Sequence, residues 1–250
     1  MEHAITNIEI LIGEYEALKV NFEQEQIDED IPKYDKLLDD FSAMKKEYYE
    51  WNRKKAERYN IFQILNIKHA ETKTHTPFLI NLLNPKGSHA HGLLFFDLFI
   101  NAIAPESKKH LYQNLKISNL RVKKEKSTED GRLDIIIESF GLGEQFIIVI
   151  ENKINAKDQK KQLSRYYSHC KKSGYTDDNI LLIYLTKCKK DAKDSSMSFL
   201  ERERLKEADV LVNMSYRQDI KNILKTYIKQ LNSKKVKFIT KQYLDIIKTF

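Results

Sequence analysis

Asp134, Glu151 and Lys153 are the residues of this 250-residue chain whose types and spacing can do chemistry. Asp134 sits in Leu133-Asp134-Ile135-Ile136-Ile137, and Glu151 follows Phe146-Ile147-Ile148-Val149-Ile150. Both are β-branched runs of strand length. Between them, Ser139-Phe140-Gly141-Leu142-Gly143-Glu144 brings two glycines close together and reads as a turn. A hairpin centred on that turn sets Asp134 directly opposite Glu151, on one face, with Cβ atoms roughly 4.5–5.5 Å apart. Two carboxylates that close repel unless a cation lies between them or one is protonated. Lys153, two residues after Glu151, shares this face, and Asn152 points the other way.

The chemistry of such a group is specific. Two carboxylates offer hard oxygen ligands that suit Mg²⁺ or Mn²⁺. A carboxylate-bound divalent ion with a positioned water is the machinery of phosphodiester hydrolysis. A lysine beside it can hold that water and stabilise a pentacovalent transition state. Glu-x-Lys alone also fits a strand-end ion pair among Asp134, Glu151 and Lys153. Opposed acids at a sheet centre are costly, however, and structural sheets avoid them, which favours the catalytic reading.

The elements that must position these residues follow from periodicity. Asn179 to Thr186 and Val210 to Met214 read as further strands. Helical patterns run through Phe78–Leu83, Leu93–Ile103, Gln159–Cys170, Ser198–Ala208, Tyr216–Leu231 and the segment after Val236. Near-continuous apolar strands imply a sheet covered on both faces, so the fold class is α/β, a sandwich with a mixed sheet. Residues 1–60 differ. Ile5, Ile8, Leu11 or Ile12, Tyr15, Leu18 and Phe22 form one helical stripe, and Tyr34, Leu37, Phe41, Met44, Tyr48 and Trp51 a second. Asp28, Glu29, Asp30 and Pro32 interrupt them, and acids before a proline mark a new helix start. The expectation is an N-terminal α-helical hairpin over 1–60, ahead of an α/β domain over 61–250. The plainer role for the hairpin is packing on its own domain. The functional one is a homodimer or partner-protein contact.

Composition bounds the rest. Lys and Arg number 43 against 36 Asp and Glu, a net +7 that permits a polyanion partner without requiring one. No apolar run approaches the roughly 18–20 residues of a membrane span. The start, MEHAITNIEI, lacks a basic n-region and apolar core, so no secretory signal is expected. With only Cys170 and Cys188 there is no disulfide framework or cysteine-rich zinc module, and a reduced, cytoplasmic setting is expected.

The stretches Gly131-Arg-Leu-Asp134 and Glu151-Asn-Lys153, followed by Gln162-Leu and Tyr166, resemble the core of the PD-(D/E)xK nuclease superfamily. They are most similar to a bacterial branch whose pattern is Asp, a hairpin, Glu-Asn-Lys, then Gln-x-x-x-Tyr. Glu71 to Gly92 is similar to that branch as well, so the resemblance spans about residues 60–250. Leu133 stands where the strict motif has proline. The resemblance implies a restriction-endonuclease-like three-layer sandwich and a Mg²⁺-dependent nuclease, with Mn²⁺ as a substitute. It implies nucleic acid as the partner, with DNA favoured over RNA, and a role in restriction or anti-phage defence. The rival reading is a catalytically silent module that binds nucleic acid or a partner.

Roles follow residue by residue from the same resemblance. Asp134 is the central metal ligand, Glu151 the second, and Asn152 adds its main-chain carbonyl. Lys153 orients the attacking water, and Glu71 completes the metal shell. Gln162 and Tyr166, four apart on one helical face, brace the site or touch phosphate. His75, four residues after Glu71, supports it. Other candidates are weaker. His89-Ala90-His91 is no zinc signature. Glu125 lies in a solvated Lys cluster. Arg132 shares the strand parity of Asp134 and could reach phosphate, and Lys187, Lys189 and Lys190, with Lys193, could track a nucleic-acid backbone.

Overall fold

The structure, a computed structural model, describes residues 2–56, 59–128, 131–141 and 144–250; side chains are described except those of 2–9, 125–128 and 131–132. Its contacts divide the chain into two units, Met1–Tyr59 and Asn60–Phe250.

The second unit is built on a five-stranded sheet in the order β1-β2-β3-β4-β5, with β1 Leu120–Thr128, β2 Gly131–Ser139, β3 Ile147–Lys153, β4 Ile180–Thr186 and β5 Leu211–Ser215. β1, β2 and β3 form an antiparallel meander, and β4 and β5 add on parallel to β3. Helical crossovers make the parallel part: α5 (Gln162–Lys172) joins β3 to β4, and α6 (Phe199–Glu207) joins β4 to β5. Every residue of β3 and β4 is buried, which is why these segments are apolar without alternation.

The pleat divides the core in two. Ile135, Ile137, Ile148, Ile150, Leu181 and Ile183 face α2 (Ile61–Ile64), α3 (Thr76–Leu83), α4 (Leu94–Ile103), α7 (Lys221–Gln230) and α8 (Lys234–Ile247). Ile136, Val149 and Leu182 face Leu163, Tyr166 and Cys170 of α5 and Leu205 of α6. The result is the expected three-layer, restriction-endonuclease-like α/β fold with a mixed central sheet. β1 has no apolar run to announce it. It is an edge strand rich in lysine, held by its ladder to β2 and by Lys123 Nζ on Glu138 Oε2 at 2.8 Å. Lysine on an edge deters a further strand from pairing there.

The first unit departs from the expected hairpin. Glu2–Lys55 is one continuous helix, α1, with Pro32 inside it. Proline's fixed φ is itself helical, and what it removes is one N–H, the donor to the Asp28 carbonyl. The described part of α1 is exposed almost throughout, so that carbonyl can turn to water. No glycine stands between Asp28 and Pro32 to reverse the chain, and local contacts carry the helix across. Gln24 Nε2 donates to Asp28 Oδ1 at 3.0 Å, and Lys33 pairs with Asp30 at 2.8 Å.

Candidate active site

The β2–β3 ladder fixes where the acids stand. It runs from Glu138↔Ile147 to Ile135↔Ile150, so Asp134 and Glu151 are opposed at the next level. There β3 begins to leave β2 for β4, pairing Glu151↔Tyr184 and Lys153↔Thr186. The ladder bond is replaced by a side chain: the Asn152 N–H donates to Asp134 Oδ2 at 3.1 Å. Both acids project on the α5 face of the sheet.

Glu151 is 1% exposed. Its Oε1 accepts from Lys153 Nζ at 2.7 Å and from Gln162 Nε2 at 2.8 Å. Its Oε2 is buried with no hydrogen-bond partner. Burial, and next the charge of Asp134, push the Glu151 carboxyl up to about 8 against the pull of Lys153. Asp134 is also raised by burial, with the Asn152 N–H and Lys153 opposing and Glu71 adding to the rise.

Glu71 opens a wide helical turn, Glu71–His75, just before α3. Its Oε2 accepts from the Ile154 N–H at 2.7 Å, which pins the carboxylate at the end of β3. Gln162 and Tyr166 lie one turn apart on α5, and Gln162 Nε2 also donates to Tyr166 Oη at 2.9 Å. The two therefore brace Glu151 from the helix side. The Asn152 side chain does point the other way: its Nδ2 donates to Thr76 Oγ1 and its Oδ1 accepts from Tyr216 Oη, both at 3.0 Å. This ties β3 to α3 and to the turn before α7.

His75 is not gathered with the acids. It is fully buried between Tyr243 Oη at 3.0 Å and the Lys68 carbonyl at 2.9 Å, and its ring meets those of Tyr216 and Phe250. Burial lowers it to about 4. Between about 4 and 6.5 the unfolded chain binds a proton at His75 that the folded chain refuses, so acid removes stability over that window. The removal amounts to about 3 kcal/mol at one pKa unit per 1.4 kcal/mol. His75→Gln should flatten this part of the pH dependence. Urea unfolding at pH 7 and pH 4.5 measures it, and parallel losses in both proteins would refute the assignment.

The loop after β4 starts beside Lys153 through the Lys153↔Thr186 pair. Lys187 Nζ donates to Asn155 Oδ1 at 2.8 Å and lies 5.4 Å from the Phe250 ring centre, whereas Lys189 and Lys190 project into solvent. The side chains of Arg132 and Glu125 lie outside the described residues. His89 is a structural histidine, bonded to the Asn84 carbonyl at 3.0 Å and to Tyr227 Oη at 3.3 Å. Thr76, Tyr216 and Tyr184 were not foreseen. Tyr184 is in register with Glu151, and its Oη donates to Asp158 Oδ1 at 2.8 Å. Strand parity was the one signal for Tyr184, and the parallel register that uses it is set by the α5 crossover.

Among the described residues, no three His, Cys, Asp or Glu side chains come close enough to hold a metal by themselves. The donors nevertheless fit a hard divalent ion. A buried carboxylate oxygen without a partner, beside a second carboxylate that raises it, is a place where a cation is favoured. Mg²⁺ keeps several waters and is bound through one or two carboxylates, so two acids suffice.

A family model described as the PD-(D/E)XK nuclease superfamily matches residues 59–245. The chain belongs to the PD-(D/E)XK nuclease superfamily. No curated protein and no solved structure matches it. The matched span takes in the whole sheet and its helices and leaves α1 outside. Membership of the PD-(D/E)XK superfamily points to a nuclease acting on nucleic acid, in a class that generally uses divalent metals. Among the described residues, no helix is long and apolar enough to cross a membrane.

Proposed function

We infer that the chain is a Mg²⁺-dependent nuclease that hydrolyses phosphodiester bonds in DNA. The observation that carries this reading is the unpartnered, buried Oε2 of Glu151 opposite Asp134, with Lys153 on the other oxygen. Asp134, Glu151 and the main-chain carbonyl of Asn152 would hold the ion, with Glu71 at the edge of the shell. The bound ion supplies Lewis-acid activation of the scissile phosphate and lowers the pKa of water.

The chain's own residues do the rest. Lys153 holds the attacking water and faces the charge that builds on the phosphorus oxygens. Gln162 and Tyr166 fix the carboxylate of Glu151 so that its second oxygen stays aimed into the site. The main-chain N–H groups of Asn152 and Ile154 fix Asp134 and Glu71 in the same way. Lys189 and Lys190 meet the flanking phosphates, where their charge adds affinity without sequence preference. A cytoplasmic setting, and restriction or anti-phage defence as the process served, complete this reading.

Incubation with linear, circular and single-stranded DNA and with RNA, each with Mg²⁺, Mn²⁺ or EDTA, tests the assignment. DNA cleavage with Mg²⁺ or Mn²⁺ and none with EDTA is the expected result. Faster cleavage of RNA would overturn the preference for DNA. Retention of nucleic acid without cleavage under every metal would identify a silent binding module instead.

A further inference from the structure

Two loops leave the carboxyl ends of the parallel strands β3 and β4: residues 154–161, which lead into α5, and residues 187–198, which lead into α6. The carboxyl end of parallel strands in an open α/β sheet is where ligands bind. Both loops start beside the acids, because Lys153 ends β3 and is in register with Thr186, the end of β4. Lys157, Lys160 and Lys161 stand in the first loop, and Lys189, Lys190 and Lys193 in the second. All six are exposed, and none of their ammonium groups has a hydrogen-bond or carboxylate partner among the described residues. The three acids of the same loops are all committed within the chain. Asp191 pairs with Lys206 and accepts from Asn213, Asp194 pairs with Arg202, and Asp158 takes two donors at once.

A lysine run in a surface loop is ordinarily a solvated face with no fixed geometry. These loops are pinned. The Lys161 N–H donates to the Ser195 carbonyl at 2.6 Å, and Lys187 Nζ to Asn155 Oδ1 at 2.8 Å. The Lys190 N–H donates to Thr186 Oγ1 at 3.0 Å. Ala192, Ser196 and Met197 are buried and anchor the second loop from below. Asp158 supplies the link between loops and strand. Its Oδ1 accepts from Tyr184 Oη at 2.8 Å, and its Oδ2 from the Lys193 N–H at 2.9 Å. Tyr184 is the residue of β4 in register with Glu151. One carboxylate therefore joins the first loop to the second, and both to the strand beside the site.

We propose that Asp158 is a positioning residue for the substrate: by holding the two loops to each other and to β4, it presents their six lysines as one preformed cradle for the phosphates of DNA beside the acids. The proposal rests on the reading of the chain as a DNA nuclease. Charge alone gives Asp158 no such place, since a carboxylate among ammonium groups weakens the attraction for a polyanion. What it contributes is order. Loops that become ordered only on meeting a ligand lose affinity to that ordering, and loops already ordered by folding do not.

Fluorescence anisotropy of a labelled short duplex in EDTA reads affinity without cleavage, and steady-state cleavage in Mg²⁺ reads KM and kcat. Asp158→Ala breaks both bonds and should raise Kd and KM by about ten-fold while holding kcat within about two-fold. It should also flatten the dependence of log Kd on log salt by about one or more. Charge alone predicts the opposite sign, tighter binding for the alanine variant. Asp158→Asn can still accept from the Lys193 N–H and donate to Tyr184 Oη, and should bind at least as tightly as the wild type. Tyr184→Phe keeps the ring and removes the hydroxyl, so it should weaken binding in the same direction, and it carries the test if the alanine variant fails to fold. Added to Asp158→Ala it should cost little more, because both changes break one link. An Asp158→Ala protein with unchanged or tighter binding, or one that loses kcat at constant Kd, would overturn the cradle and leave the nuclease reading standing. A wild type that neither binds nor cuts DNA would overturn the nuclease reading and the cradle with it.

Discussion

Asp134→Asn should abolish metal-dependent cleavage, by a factor of about 10³ or more, while making the metal-free protein more stable. The loss follows from the proposed mechanism: a carboxylate replaced by an amide withdraws the charge that would offset a divalent ion. The gain follows from the same charge. Burial and the neighbouring Glu71 raise Asp134 above its ordinary value, so its ionised form is disfavoured in the folded chain. It also lifts Glu151. Asparagine keeps an oxygen for the Asn152 N–H and drops the charge, so the folded variant gains stability. The sign can be checked with pH. A carboxyl raised by folding costs stability at pH values above its unfolded pKa, so the gain should be full at neutral pH. It should fade as pH falls toward the ordinary carboxylate range, where Asp134 is protonated both folded and unfolded. Urea unfolding in EDTA at pH 7 and pH 3.5, beside a cleavage assay in Mg²⁺, measures both halves. A variant that still cuts, or one destabilised at pH 7 in EDTA, contradicts this account.

Lys153→Met should lose cleavage by about 10³ as well, the scale expected when a positioned donor to transition-state charge is removed, but with the opposite effect on stability. Lys153 Nζ sits 2.7 Å from Glu151 Oε1 and is itself nearly buried. Removing it takes away the charged donor and leaves the carboxylate held from α5 by Gln162 and Tyr166. An uncompensated buried carboxylate costs about 3–5 kcal/mol when it stays ionised. Glu151 already stands near 8 and can escape that cost by holding its proton. The destabilisation should therefore be small at pH 6 and grow steadily toward pH 9, where the unfolded chain is ionised and the folded variant resists. Denaturation midpoints of wild type and variant across that range give the test. A pH-independent difference would mean that Lys153 acts through packing alone. The two variants form a contrast: both silence the site, one relaxes the fold and the other strains it. A purely structural ion pair would be weakened by either change.

Much of the site was legible before any coordinates. The hairpin centred between Leu142 and Gly143 of the sequence predicts the β2–β3 register, and the ladder from Glu138↔Ile147 to Ile135↔Ile150 has it. That legibility has a physical basis. A tight connection leaves an antiparallel pair little freedom, and strand parity then fixes faces. Glu151, Lys153, Gln162 and Tyr166 fall together because α5 is the next element along the chain and its i, i+4 spacing is local. Residues whose position depends on distant contacts were harder to read. His75 stands one helical turn from Glu71, and the sequence pairs them. The fold separates them, because His75 fits into an aromatic nest made by Tyr243, Tyr216 and Phe250 from the far end of the chain. β1 was missed since an edge strand of lysines has no apolar signature, only a neighbour that accepts its hydrogen bonds.

What the sequence determined by itself is the chemistry and its local frame. It specifies two acids and a lysine brought together by one hairpin, an apolar sheet that must be covered on both faces, and a family match across 59–245. The tertiary structure decided three other things. It set the parallel register that brings Tyr184 and the basic loop to the site. It took His75 away from the acids, to the opposite face of the sheet. It left α1 continuous where Pro32 suggested a break. In each case the deciding energy is non-local. Crossover helices choose a register, buried rings choose a histidine's partners, and a proline in a solvated helix gives up one hydrogen bond that water replaces.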